Sequence, residues 1–308
     1  MSVRRGNHFV LPLALLWLLS ACARSNDGPG MAGPSGAPVP VTSIALSVSA
    51  ESVFLVNPDT GVRQLVAERL SDFQAGYAAW APDHRQLAFG NAAINLVDTQ
   101  TGAVRPVVRG QSLSMPAWSP DGTRIAYGDG TSLWITPADS KHPTAIELPE
   151  TLAALGMAWQ PGQLIAFQGL QLECSISGGC TSTDLSEIWR IDPDGGGLSQ
   201  LTHVGHAGNP RWSSDGSRLL FVRRLGGSET APRSTELWEV DANGAGLRQV
   251  APLFDVVAAD WSADGSRLAV LRRGDREGTL QLWVGNADGT GLRAVGEPIM
   301  GTHATIDW

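Results

Sequence analysis

Lysine is almost absent from this 308-residue chain, in which Lys141 is the only one. We attribute this to genome composition. Acidic residues outnumber basic ones, and the formal net charge is −8 at pH 7. Binding to nucleic acid or to anionic lipid headgroups needs clustered positive charge, which an acidic chain of this kind does not favour. The sequence therefore predicts no nucleic-acid partner.

The short motifs of the common catalytic sites are also missing. The sequence has no Gly-x-Ser-x-Gly elbow, no His-Glu-x-x-His pair and no phosphate-binding loop. Its N-terminal apolar run, Phe9 to Leu19, is too short to span a bilayer comfortably. We therefore assign no cofactor, no resident metal and no catalytic residue from motifs.

That apolar run has the features of a targeting signal. Arg4 and Arg5 precede it, and it ends in Leu19-Ser-Ala-Cys22, which resembles a bacterial lipobox. The resemblance implies that residues 1–21 are a signal peptide and that Cys22 becomes the lipidated first residue. A cleaved secretory signal with an incidental cysteine is the alternative. Loss of the two arginines would shift the net charge from −8 to −10.

Residues 22–40 contain mainly Gly, Pro, Ser and Ala, and this composition predicts a flexible tether. Together, the lipobox and the tether predict an extracytoplasmic cell-envelope protein on a lipid anchor. Lipoproteins that are retained at the inner membrane carry Asp after the lipidated cysteine, whereas this chain has Ala23. By resemblance to those lipoproteins, we expect this protein on the outer membrane, facing the periplasm, in a two-membrane bacterium. In a one-membrane bacterium the outer face of the plasma membrane is expected.

From residue 41 to the end, the chain repeats one phrase. Trp118-Ser-Pro-Asp-Gly-Thr-Arg-Ile-Ala-Tyr recurs closely at Trp212 and Trp261, and more loosely at Trp80 and Trp159. The spacing of roughly 40 to 50 residues is that of one four-stranded propeller blade. A second apolar strand follows in four copies, each with a central tryptophan: Trp134, Trp189, Trp238 and Trp283. Two recurring tryptophan positions indicate a repeated core.

The two ends of the repeat region complete each other. Ile44-Ala-Leu-Ser-Val begins a copy that has no opening strand, and Ala304-Thr-Ile-Asp-Trp308 is an opening strand with nothing after it. Pairing them makes six blades and leaves no open sheet edge. We therefore predict that residues 41–308 form an all-β, six-bladed β-propeller, closed by pairing the C-terminal strand with the N-terminal blade.

Two cysteines remain besides Cys22. Cys174 and Cys180 are six positions apart, and an exported chain meets oxidising surroundings, so we predict a local disulfide. A metal site is the alternative, although no third or fourth ligand lies nearby in sequence.

Three long insertions fall in consecutive blades on one face of the predicted propeller: residues 168–187, 223–236 and 272–279. Insertions gathered on one face of a repeat protein mark its binding side, unless they are neutral. Two arginine pairs open neighbouring insertions, namely Arg223, Arg224, Arg272 and Arg273. With Arg233 and Arg276 they predict a positive patch for a carboxylate-bearing partner. Acids of the same loops, Glu229, Asp275 and Glu277, are the alternative partners of these arginines.

The histidines raise a second possibility. His203, His206 and His303 fall in blade connections on the same predicted face. At the channel mouth they would serve as partner-binding side chains, metal ligands or an acid–base pair. The repeated aspartates Asp83, Asp121, Asp215 and Asp264 are instead predicted to stabilise turns, since Asp carboxylates accept backbone N–H groups at such bends.

The repeated phrase, followed by [Leu/Ile]-Trp-x-x-Asp and Leu-Thr, is similar to the propeller repeat of the TolB family, over about residues 41–308. That resemblance implies a six-bladed propeller of the envelope that binds other envelope proteins at its channel mouth. The chain lacks the N-terminal α/β domain of that family, so its partners are not carried over. It also lacks the hydrolase domain of prolyl oligopeptidases, which share the repeat.

These observations leave three functional hypotheses. The first is a monomeric, non-enzymatic module that binds an envelope protein or a cell-wall component from a lipid tether. The second is a propeller enzyme, a metal-assisted lyase or hydrolase acting on polysaccharide at the central channel. The third is a structural spacer in a larger envelope complex.

Overall fold

A computed structural model describes residues 43–48, 52–68, 77–90, 93–109, 115–139, 142–174, 180–226, 234–301 and 304–308. The predicted signal peptide, Cys22, the predicted tether and His303 lie outside these residues. The described part of the chain contains no helix with the length and apolarity that a membrane span requires.

Twenty-four strands make up the described structure. In chain order they are β1 (Ile44–Val48), β2 (Ser52–Val56), β3 (Arg63–Glu68), β4 (Tyr77–Trp80), β5 (Gln86–Gly90), β6 (Ala93–Asp98), β7 (Val104–Arg109), β8 (Ala117–Trp118), β9 (Arg124–Gly128), β10 (Leu133–Pro137), β11 (Thr144–Ile146), β12 (Leu152–Trp159), β13 (Ile165–Cys174), β14 (Cys180–Ile191), β15 (Ser199–Gln200), β16 (Ala207–Trp212), β17 (Arg218–Arg224), β18 (Thr235–Asp241), β19 (Arg248–Phe254), β20 (Val256–Trp261), β21 (Arg267–Arg273), β22 (Thr279–Asn286), β23 (Arg293–Met300) and β24 (Ala304–Asp307).

The strands form six four-stranded antiparallel sheets, which are the blades of a six-bladed β-propeller. Blade 1 has the order β24-β1-β2-β3, and blades 2 to 6 each take the next four strands in sequence. The predicted closure is confirmed, since Ala45 lies opposite Asp307 and Leu46 opposite Ile306. Sequence neighbours pair everywhere except at this closure, where the two ends of the propeller meet.

Burial decreases from the second strand of each blade to the outermost one. In β1 and in residues 87–90 of β5 every residue is buried, because a blade is covered on both faces by its neighbours. The outer strand β7 is mostly exposed, with Val107 its buried residue. The core clusters lie between adjacent blades: one of them joins Leu220 of blade 5 to Leu268 of blade 6. Each blade is therefore stable only beside its neighbours.

The junction between blades 6 and 1 is packed closely on the outside as well. The backbone of Gly61 abuts that of Gly296 and leaves no space for a Cβ atom. The Arg63 guanidinium donates to the Glu297 carbonyl at 2.7 Å, and Arg267 pairs with Asp59 at 2.9 Å. Contacts beyond the strand pairing therefore hold the ring closed.

Candidate functional site

The two ends of the propeller differ in their connections. One end carries the turns between the first and second strands of the blades, and we call it the turn face. Examples of these turns are residues 119–123, 213–217 and 262–266. We call loop-rich face the opposite end, where second strands lead to third strands and each blade leads to the next. The predicted insertions and all predicted partner-binding residues that the structure describes belong to the loop-rich face or to the strand ends beneath it.

The repeated aspartates lie on the turn face and stabilise turns, as predicted. The Asp215 carboxylate accepts hydrogen bonds from the Ser213 hydroxyl at 2.6 Å and from the Ser217 backbone N–H at 3.0 Å. The Ser213 bond, followed by the Ser217 bonds, lowers the pKa of Asp215 to about 2. Asp121 and Asp264 make the same contacts. The carboxylate oxygens of these aspartates therefore accept hydrogen bonds from their own turns.

The blade-4 insertion is a β-hairpin and not the loop that we expected. β13 continues to Cys174 and β14 begins at Cys180, and the two strands stay paired up to these two residues. The predicted disulfide is present and joins Cys174 to Cys180 at the end of the hairpin. The insertion keeps its backbone hydrogen bonds by continuing the ladder, with one irregularity between Leu170 and Leu172. Its described strands continue beyond the buried part of the blade on the loop-rich face.

Arg223 and Arg272 occupy equivalent positions in blades 5 and 6, as the sequence indicated. Each guanidinium lies over the tryptophan in the third strand of its own blade, which we call the outer tryptophan. The Cζ atom of Arg223 lies 5.5 Å from the Trp238 ring centroid, and that of Arg272 lies 5.7 Å from the Trp283 ring centroid. Arg272 Nε also donates to the Phe254 carbonyl at 2.9 Å. The two side chains are therefore held in place by the rings, and they do not extend freely into solvent.

Arg224 and His206 meet on the loop-rich face, where both contact Asp184 of the hairpin. Arg224 Nη2 lies 2.7 Å from the Asp184 carboxylate. His206 Nδ1 lies 2.9 Å from the Asp184 carbonyl oxygen and 3.2 Å from Arg224 Nη2. The acid that neutralises Arg224 thus comes from another blade, whereas we expected it in the same loops. Asp184 and His206 both have positive φ, at 60° and 55°.

Two other predicted residues, His203 and Arg273, take no part in the contacts among Arg224, His206 and Asp184. His203 is exposed, and Arg273 is an exposed strand end whose backbone N–H donates to the Asp255 carbonyl. Among the residues that the structure describes, no group of three or more His, Cys, Asp or Glu side chains is placed to hold a metal ion. His303 lies outside those residues, so its predicted convergence with His206 stays a prediction.

Exposed apolar side chains are a feature of the loop-rich face that the sequence analysis missed. Leu185 is 43% exposed, Phe254 46% and Met300 72%. They stand on this face in blades 4, 5 and 6, the blades that carry the insertions. The other large exposed apolar residues of the described chain lie at the turn-face ends of blades 1, 2 and 5: Val62, Val104 and Leu247.

A second feature that sequence reasoning missed is a cavity of about 330 Å³ where the central channel opens on the turn face. One tryptophan from each blade lines it: Trp80, Trp118, Trp159, Trp212, Trp261 and Trp308. The residue before the tryptophan is alanine in blades 2, 3 and 4. In blades 5, 6 and 1 it is Arg211, Asp260 and Asp307. Comparing this one position across the repeats would have revealed the charged half of the channel.

These three charges are largely buried and loosely paired. Arg211 Nε lies 3.4 Å from Asp260 Oδ2 and 3.7 Å from Asp307 Oδ1. The pairing of β16 with β17 is irregular between Gly208 and Arg211, directly before this position. Burial raises the pKa of Asp260 well above its usual range, the Asp307 charge adds to this, and Arg211 opposes it.

The same carboxylates hold strand ends of neighbouring blades. Asp307 Oδ2 accepts the Trp80 backbone N–H at 2.5 Å, and Asp260 Oδ2 accepts that of Trp308 at 3.2 Å. Arg211 Nη2 donates to the Ile306 carbonyl at 3.1 Å. The cluster thus ties blades 5, 6, 1 and 2 together around the channel, next to the closing strand.

No protein-family model and no curated protein sequence matches this chain. Solved structures do match it in fold. TolB from Acinetobacter baumannii is 18% identical with a TM-score of 0.64, over 87% of this chain and 67% of that one. A chain of the nidogen/laminin complex is 10% identical with a TM-score of 0.65, over 86% and 97%. An oligogalacturonate lyase in complex with manganese is 19% identical with a TM-score of 0.51, over 80% and 70%. At such identities the likeness carries the fold alone: the chain has the fold of a six-bladed β-propeller, which the TolB structure shares.

Proposed function

We propose that this protein is a non-enzymatic binding module of the bacterial cell envelope, which docks a protein partner on the loop-rich face of blades 4 to 6. The observation that carries the proposal is the position of Leu185, Phe254 and Met300, which are exposed on that face in three consecutive blades. Exposed apolar side chains that recur on one face of neighbouring blades favour an interaction site there.

The surroundings of these side chains support a docking surface. The hairpin that carries Leu185 is closed by the Cys174–Cys180 disulfide and fixed to blade 5 through Asp184 and Arg224. Arg223 and Arg272 are held over tryptophan rings. A surface built from fixed side chains loses little conformational entropy when it binds a partner. A chain of similar fold occurs in the nidogen/laminin complex, which is a complex between proteins.

The path of the chain suits this arrangement. β1 is antiparallel to β24, with Ala45 opposite Asp307, so the described chain enters the propeller at the turn face. A lipid on Cys22, followed by a flexible tether, would join the propeller to a membrane. A Cys22→Ser variant should move from the membrane fraction to the soluble envelope fraction.

The test of the docking surface compares two triple variants. We would express full-length lipoprotein carrying Leu185→Ser, Phe254→Ser and Met300→Ser, crosslink it in its own membranes and identify captured proteins. The matched control carries Val62→Ser, Val104→Ser and Leu247→Ser, which removes equally exposed apolar groups from the turn-face ends. We expect a partner captured by wild type and control to be lost with the first variant, at an unchanged melting temperature.

Two results would overturn the proposal. One is a partner that both triple variants retain, and the other is a partner that both lose equally. Wild-type lipoprotein that captures nothing specifically would also count against a binding module.

A further inference from the structure

The residue two positions before the outer tryptophan is glutamate in blades 4 and 5 and glutamine in blade 6. Blade 4 has Glu187 before Trp189, blade 5 has Glu236 before Trp238, and blade 6 has Gln281 before Trp283. The Glu187 carboxylate accepts hydrogen bonds from the Thr202 hydroxyl and the Gly205 N–H, both at 2.6 Å. Among the residues that the structure describes, an arginine lies over the outer tryptophan in blades 5 and 6 alone, so these two blades form a natural comparison.

Blade 5 shows how a carboxylate fits beside the stacked arginine and tryptophan. Glu236 lies directly opposite Arg223 in the strand register. Its Oε2 atom accepts the indole N–H of Trp238 at 2.9 Å, while the Arg223 guanidinium lies 5.5 Å from the centroid of the same ring. The Glu236 carboxylate therefore occupies the indole N–H of the tryptophan that carries the stacked arginine, and it does so without an ion pair to Arg223.

In blade 6 the same position has no carboxylate. Gln281 lies opposite Arg272, and its amide turns away to donate to the carbonyls of Leu282, Val295 and Gly296 at 3.0–3.2 Å. Within the part of the chain that the structure describes, no hydrogen-bond acceptor is placed on the Trp283 indole N–H. A cavity of about 620 Å³ opens here, lined by Arg272, Gln281 and Trp283 among others.

The charge of the cavity is complementary to an anion. Three arginines line it, Arg272, Arg273 and Arg276, against two acids, Asp275 and Glu297. This leaves an excess of one positive charge on a chain whose net charge is −8. Met300, one of the exposed apolar residues of the docking surface, lines the same cavity. A ligand here is thus offered a cation, an indole N–H and an apolar wall.

We propose that the blade-6 cavity binds a carboxylate of an acidic segment of the partner protein, in the position that Glu236 fills in blade 5. This inference rests on the proposed function for the identity of its ligand, but its chemistry can be tested without the partner. The carboxylate accepts the indole N–H of Trp283, and the positive charges of the arginines that line the cavity favour its negative charge. Such charge-assisted bonds are the strong ones in binding sites.

The probe is N-acetyl-glutamate N-methylamide, a mimic of a glutamate side chain within a chain, titrated into ¹⁵N-labelled protein. The readout is the set of tryptophan indole N–H resonances, with the Trp283 signal assigned by its loss in Trp283→Phe. We expect the Trp283 signal to shift with saturation and the Trp238 signal to stay, because Glu236 already occupies that N–H. The neutral isostere N-acetyl-glutamine N-methylamide should shift neither.

Three variants sharpen the test. Gln281→Glu gives blade 6 the residue that blade 5 has at this position. The new carboxylate should accept the Trp283 indole N–H and abolish the probe-induced shift. Arg272→Gln should weaken probe binding at least tenfold, whereas Arg223→Gln, its counterpart in blade 5, should leave it unchanged. Each variant is expected to keep the remaining indole resonances, which verifies the fold.

Equal shifts with the glutamate and glutamine probes would overturn the inference, as would full binding by Gln281→Glu. These results would leave the docking surface untouched, since its test uses the Leu185, Phe254 and Met300 substitutions. Conversely, a saturable Trp283 shift without any captured partner would retain a carboxylate site and reject the proposed function.

Discussion

Arg267 of blade 6 lies over the indole ring of Trp308, the tryptophan of the closing strand, with its Cζ atom 5.1 Å from the ring centroid. The equivalent arginine of blade 3, Arg124, lies 5.0 Å from Trp159 of blade 4, and Arg218 of blade 5 lies 5.4 Å from Trp261 of blade 6. The arginine of the repeated phrase thus contacts the next blade along the ring. At the closure it joins the two ends of the propeller.

Replacement of Arg267 by alanine should lower the free energy of unfolding by about 1–2 kcal/mol, since it removes a partly desolvated cation–π contact and the packing of the arginine stem. Asp59→Ala is the control, because it removes the exposed ion pairs of Asp59 with Arg267 and Arg293, each worth about 1 kcal/mol at most, and leaves the ring contact in place. Urea unfolding of both variants checks this. Equal losses would mean that the ion pair, and not the ring contact, holds the closure.

Arg211→Ala should cost more, about 3–5 kcal/mol, because it leaves the buried charges of Asp260 and Asp307 without their cation. Adding Asp260→Asn removes one of these charges while keeping an oxygen that accepts the Trp261 N–H. The double variant should therefore recover part of the lost stability in urea unfolding. A double variant as unstable as Arg211→Ala alone would show that the guanidinium acts through its bonds to the Pro210 and Ile306 carbonyls.

The architecture could be predicted from the sequence because each blade repeats one local pattern, and closure follows from the incomplete copies at the two ends. The disulfide followed from a short spacing. The channel charges were missed because the repeat pattern is defined by its constant positions, the tryptophans. The charges lie at a variable position one residue earlier, at Arg211, Asp260 and Asp307. The Arg224–Asp184 pair joins positions 40 residues apart, so only the fold brings it together.

The raised pKa of Asp260 predicts a loss of stability as the pH rises. A carboxyl whose folded pKa lies above its unfolded value, about 3.9, binds its proton more tightly in the folded protein. Its contribution is complete below the unfolded pKa and is lost as the pH rises through the folded pKa. The melting temperature of Asp260→Asn relative to wild type should therefore increase from pH 4 towards pH 8. A constant difference over that range would contradict the prediction.

The turn aspartates predict the opposite dependence at lower pH. The pKa of Asp215 is lowered to about 2, so its contribution is present above the unfolded value of about 3.9 and is lost as the pH falls through 2. Asp215→Ala should melt below wild type at pH 6, and the gap should narrow as the pH approaches 2. Glu277→Ala, an exposed acid of the loop-rich face, is the control and should show no such narrowing.

The Cys174–Cys180 disulfide should stabilise the projecting part of the blade-4 hairpin more than the propeller as a whole. Cross-linking so short a loop is worth about 2 kcal/mol in the chain-entropy model. Residues 171–174 and 180–185, however, extend beyond the part of the blade covered by its neighbours: most are exposed, whereas Ile165 and Ile188 are fully buried. Reduction, or replacement of both cysteines by serine, should therefore allow local opening.

Hydrogen exchange should become faster for amides of the outer hairpin and stay slow at Ile165 and Ile188, with a small change in melting temperature. Uniformly faster exchange across blade 4 would show that the hairpin and the blade unfold together.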